Sequence, residues 1–160
     1  MARPLVLALA ALLAAAPALA QTSRPVLRDP ADEAPGWTLR AARDGTPVAM
    51  LDGPGNIKHL ALFCLSGEPF LALAFRAAPA PETLRLGFAF AHAGYDGEAR
   101  REPGAGGAHV LALRDQPVAG LLAGRDGLVE LTINGASAGT LTLRGSSKAI
   151  RAALDPCMDF

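Results

Sequence analysis

The sequence predicts a mostly β protein: an antiparallel β-sandwich of about eight strands, with an open barrel as the second architecture, closed by a short C-terminal α-helix. Three observations carry this reading. Short apolar runs bounded by Gly, Pro, Asn and Asp recur along the chain at near-regular spacing. Most of them alternate, or are apolar at both parities, over stretches too short for core helices. The closing stretch "LTLRGSSKAIRAALDPC", residues 141–157, switches at Gly145 from strand alternation to apolar residues three and four apart.

Residues 1–20 read as an export leader. Met1-Ala2-Arg3-Pro4 is singly basic, Leu5 to Ala16 is uninterruptedly apolar, and Ala18-Leu19-Ala20 forms a small-x-small cleavage site before Gln21. The apolar stretch falls well short of the about twenty residues that cross a bilayer as a helix. The expectation is therefore cleavage between Ala20 and Gln21, a periplasmic or secreted product, and no membrane span afterwards. Residues 21–36, with Pro25, Pro30 and Pro35 among charges, read as an irregular lead-in, and 37–160 as a single domain.

Trp37 opens "WTLRAARDGTPVAMLD", two extended runs around the turn signal Asp44-Gly45. As the only Trp, beside a strand, it reads as a core or lid aromatic. In "IKHLALFCL" both parities are apolar, as in a strand covered on both faces, with Cys64 inside it. Ser66 to Pro69 supplies a turn and "FLALAFR" follows. "LRLGFAFAH" places Leu84, Leu86, Phe88 and Phe90 on one side, with Arg85 and Gly87 opposite. Residues 93–107, "AGYDGEARREPGAGG", read as the longest break, and "HVLALR" resumes as a strand. "QPVAGLLAG" fits a helical turn or a strand, Pro117 suiting a first helical position. "LVELTI" and "GTLTLR" pair around Asn134-Gly135. The terminal helix spans about 146–154, with Ser146 as the expected cap of its first turn.

Composition excludes some partners. Fifteen basic residues balance fifteen acidic ones, and such neutrality offers no field for a polyanion, so nucleic acid is not an expected partner. Two cysteines in an exported chain permit one intramolecular pairing, Cys64 with Cys157.

Candidate chemistry is sparse. His59, His92 and His109 fall on expected strands, but without HxH or HExxH spacing. No metal ligands and no cofactor are assigned on the leading reading. An alternative gathers His92, His109 and Asp96 into a metal or enzyme site. Ser66 lacks the GxSxG elbow. The Gly-rich "PGAGGAHV" runs into a strand instead of from a strand into a helix, so it fails as a phosphate cradle. The candidate binding loop is 93–107, where Tyr95, Asp96, Glu98, Arg100, Arg101 and Glu102 crowd together; a poorly ordered insertion is the alternative reading.

The early Trp37, the strand-Cys-hairpin "LALFCLSGEPFLALAF" and the closing strand–Gly–helix–Cys pattern together resemble type VI secretion accessory proteins of the TagO-like class. The strand–Gly–helix part also resembles the invasion-associated locus B family. Phe63 stands where the TagO-like pattern tends to carry Arg, and the further cysteines of the locus B pattern are missing. The resemblance implies a non-enzymatic periplasmic accessory or binding domain, linked to the envelope or a secretion system, with a protein or envelope component as partner. Neither family offers a catalytic residue to transfer.

Overall fold

The computed structural model describes residues 35–79, 81–124 and 127–160. The leader at 1–20, its cleavage point and most of the 21–36 lead-in lie outside these residues. The strands are β1 (Thr38–Ala41), β2 (Pro47–Asp52), β3 (Ile57–Leu65), β4 (Glu68–Phe75), β5 (Thr83–Ala89), β6 (Gly94–Glu102), β7 (Ala108–Ala112), β8 (Leu128–Ile133) and β9 (Ala136–Thr142). The helices are α1 (Val118–Leu122) and α2 (Ser146–Leu154). The chain is thus mostly β with a short C-terminal helix, and that helix occupies 146–154 as expected. The ambiguous "QPVAGLLAG" resolves into α1, with Pro117 immediately before its first turn.

All nine strands belong to one antiparallel sheet, ordered β1-β2-β3-β4-β7-β6-β5-β8-β9. A β-sandwich would have two stacked sheets; the strands instead form one. This single sheet is rolled, so that its two edges meet at one corner. The Trp37 N–H donates to the Arg144 carbonyl at 2.9 Å, and the Trp37 indole Nε1 donates to the Thr142 carbonyl at 2.9 Å. Strand register keeps one face turned inward around the roll. Leu60 opposes both Leu51 and Leu73, Leu71 opposes Leu111, and Phe88 opposes Leu131. These residues, with Ile150, Ala153 and Leu154 of α2, form one buried cluster. A nine-residue helix does not persist alone in water, so α2 is helical because this apolar stripe docks on β2 and β3.

Two tight turns have local causes. Ser66-Gly67 and Asn134-Gly135 both adopt positive φ at each residue, which matches the right-handed twist of the hairpins β3–β4 and β8–β9.

Two expectations need correction. Residues 93–107 are not a loop: 94–102 form β6, paired with β5 over 94–100 and with β7 over 100–102, and Pro103–Ala105 makes a 3-10 turn. The β6 backbone is held by strand pairing, and four of its charged side chains, Asp96, Glu98, Arg100 and Glu102, are those that point outward. Ser146 does not cap α2. The cap position is Gly145, in the left-handed region at φ 75°, with no side-chain cap bond. Ser146 is already inside the first turn and buried, so its hydroxyl cannot swing back to the helix end.

A Cβ on Gly145 would also sit 3.1 Å from the Trp37 carbonyl oxygen. Gly145→Ala is therefore expected to lower stability by about 1–2 kcal/mol from the left-handed conformation alone. Urea unfolding followed by circular dichroism checks it, and an unchanged midpoint would mean that the corner does not need this conformation.

Candidate functional site

The outer face of the rolled sheet divides into an apolar and a polar half. Across β2, β3, β4 and β7, the residues that alternate with the core ones are Val48, Met50, Phe63, Phe70 and Val110, all half-buried, with Ala61 and Ala72 buried between them. Phe63 and Phe70 are direct cross-strand partners, their ring centroids 6.0 Å apart. Leu65, at the end of β3, is 56% exposed. One groove of about 500 Å³ runs along Phe63, Leu65, Phe70 and Val110 to Glu102. Another of about 400 Å³ runs along Val48, Met50 and Phe63 to Arg40 and Asp44.

This corrects the reading of β3 as covered on both faces. Its inner residues Leu60 and Leu62 are fully buried, while Phe63 and Phe70 on the outer face stay only half-buried, in a groove whose wall includes Gly104 and Ala105 of the 3-10 turn. The signal was present in the double-parity apolar pattern of 57–65, but it does not say what covers the second face.

Across β5, β6 and β8 the same outer face is polar. Arg85, Asp96, Glu98, Arg100, Glu130 and Thr132 lie there by register. Of the six residues expected to form a binding loop, Asp96, Glu98, Arg100 and Glu102 thus share the outer face of β6, and Tyr95 and Arg101 turn inward at its two ends. The Tyr95 hydroxyl donates to Gln116 Oε1 at 3.2 Å, and partial burial raises its pKa. Arg101 pairs with Glu82 at 3.3 Å and donates to the Pro79 carbonyl. Both ends of the group are therefore held in place by neighbours.

The structure does not bring His92, His109 and Asp96 together. His109 is fully buried on the inner face, its Nε2 3.0 Å from the Pro81 carbonyl and its ring edge-on to Phe75. Asp96 is on the outer face of the neighbouring strand β6, and His92 is exposed in the β5–β6 turn. Among the described residues, no group of three His, Cys, Asp or Glu side chains is placed to hold a metal ion. His59 lies apart on β3, where burial, and next the Lys58 ammonium, lower its pKa. Ser66 occupies the exposed β3–β4 turn. The Gly-rich segment forms the 3-10 turn and enters β7, with Gly106 and Gly107 at positive φ.

Cys64 and Cys157 are joined as a disulfide, with Cα atoms 6.0 Å apart and a sequence separation of 93. No helix among the described residues is long and apolar enough to cross a membrane. Compared with family models, with curated proteins and with solved structures, the chain matches none.

Proposed function

We propose that the chain is an exported, non-enzymatic domain that holds a partner protein against the apolar half of its outer face. The observation that carries this reading is the half-buried Phe63–Phe70 pair, flanked by Leu65, Met50 and Val110 and lining two open grooves. An aliphatic and aromatic centre rimmed by charges of both signs, here Arg40 and Asp44 on one side and Glu102 on the other, matches the anatomy of a protein interface. An anionic bilayer surface is a poorer match, since Asp44 and Glu102 would face it unfavourably. The export leader, the disulfide and the resemblance to periplasmic secretion accessories support the same location and role. A linkage to the envelope or to a secretion system belongs to this proposal.

A photo-crosslinking residue in place of Leu65, compared with one in place of Glu130 on the polar half, tests it in the native cell. The expected result is a discrete adduct with one other protein from position 65 only. Phe63→Asp is expected to weaken that contact by about 2 kcal/mol or more, as for a hot-spot aromatic, and to lower the thermal midpoint as well, because Phe63 is half-buried and paired with Phe70. Adducts only to lipid or to a second copy would overturn the assignment of partner. Turnover of ester, glycoside or peptide substrates by the purified protein would overturn its non-enzymatic part.

A further inference from the structure

The polar half of the outer face carries a feature that protein docking does not use. Gly87 sits mid-strand in β5, between Asp96 of β6 and Thr132 of β8. Its backbone is ordinary extended strand, so conformation does not demand glycine there. Space does. A Cβ at this position would lie 2.4 Å from Thr132 Oγ1 and 3.1 Å from Asp96 Oδ1. The two flanking polar side chains thus lean over a bare backbone floor. The hollow around them is about 450 Å³ and is completed by Arg85, Asn134 and Gly135, a size within the about 300–1,000 Å³ typical of small-molecule sites.

The hydrogen-bonding groups around the floor are of both kinds. Asp96 offers carboxylate oxygens with no ion-pair partner among the described residues, and the Arg85 guanidinium likewise has none. Asn134 is oriented by its own Oδ1, which accepts the Arg85 backbone N–H at 2.9 Å, leaving its Nδ2 as a donor. Thr132 Oγ1 spends its proton only on a long 3.5 Å contact to the Gly87 carbonyl. A bare cation would meet Asp96 but also Arg85, and a bare anion would meet the reverse conflict. A neutral group that both donates and accepts satisfies the whole set. A pair of neighbouring hydroxyls does this, one donating to Asp96 while its neighbour accepts from Asn134 or Arg85.

We infer that the hollow over Gly87 is a binding site for a saccharide, read through a pair of adjacent hydroxyls. The site is independent of the docking face and stands or falls separately from it.

Amide chemical-shift titration of the intact oxidised protein tests this, with glucose and N-acetylglucosamine as probes and glycine and inorganic phosphate as controls. The expected result is saturable shifts confined to the amides around Gly87, Asp96, Thr132 and Gly135 with a sugar, and none with the controls. Asp96→Asn, on the exposed surface, is expected to weaken binding about tenfold, as for loss of one hydrogen bond to a charged group. Gly87→Ala is expected to abolish binding, because its Cβ would push Thr132 Oγ1 and Asp96 Oδ1 out of the positions from which they bind. If that variant fails to fold, Asp96→Asn alone carries the test. No sugar response up to about 50 mM, the weakest affinity worth assigning to such a site, overturns the proposal. So does a response to glycine or phosphate alone, or sugar binding that survives Asp96→Asn unchanged.

Discussion

Trp37→Ala is expected to be the most damaging single substitution at the sheet's seam, costing about 3–5 kcal/mol, the range for truncating a buried aromatic. Trp37 is 5% exposed and belongs to the central cluster. It also joins the two edges of the rolled sheet, because its indole reaches the Thr142 carbonyl just as its backbone N–H reaches Arg144. The two contributions are separable. Trp37→Phe keeps most of the apolar ring and loses only the indole donor, leaving the Thr142 carbonyl without it, for about 1–3 kcal/mol. Urea unfolding followed by far-ultraviolet circular dichroism measures both, fluorescence being lost with the only Trp. If Trp37→Ala costs less than about 1 kcal/mol, below even a modest core truncation, the seam does not hold the sheet rolled.

Much of this architecture was legible residue by residue. The run 57–65, the turn at Asn134-Gly135 and the change of period at Gly145 each act locally, so each announces β3, β8–β9 and α2. The disulfide followed from there being two cysteines to pair. The strand β6 is poorly legible, although its alternation is strict. Tyr95, Gly97, Ala99 and Arg101 face inward, while Asp96, Glu98, Arg100 and Glu102 face outward. The inward positions look weak because two of them are nearly side-chainless. The Tyr95 ring fills the gap by lying over Gly97, where a Cβ would come within 2.5 Å of its hydroxyl. Hydrophobicity is therefore nearly absent from the sequence of a strand that lines the core. Period-two charge was the signal to follow.

The single sheet was not legible for another reason. Pairings such as β4 with β7 and β5 with β8 skip over intervening strands, and no local pattern encodes which strand a given strand will find. The same holds for the candidate surfaces. Phe63 and Phe70 become one patch, and Gly87, Asp96 and Thr132 one hollow, only through register.

Removing the Cys64–Cys157 bridge is expected to cost about 2–5 kcal/mol without unfolding the chain at room temperature. The bridge ties the end of β3 to the residues just after α2, and opening it releases a constraint across 93 positions of the unfolded chain. The helix does not rely on the bridge alone. Ala149, Ile150, Ala153 and Leu154 are all buried against the sheet, and each large one contributes about 1.5–3 kcal/mol by burial. Loss of the bridge should therefore loosen α2 locally before the sheet opens. Hydrogen exchange should rise most at the α2 amides and least at β3 and β4 in a Cys64→Ala/Cys157→Ala variant. Of the single serine variants, Cys64→Ser should be the worse, since Cys64 is on the inner face of β3 while Cys157 lies beyond the helix. Both are only half-buried, so the difference should stay within about 1 kcal/mol, the net worth of a hydroxyl that still reaches water. Thiol titration of the protein taken from its native compartment, under denaturing but non-reducing conditions, decides the premise. Two free thiols per chain would mean that burial of the α2 stripe alone holds the C-terminus, and that the fold tolerates the open pair.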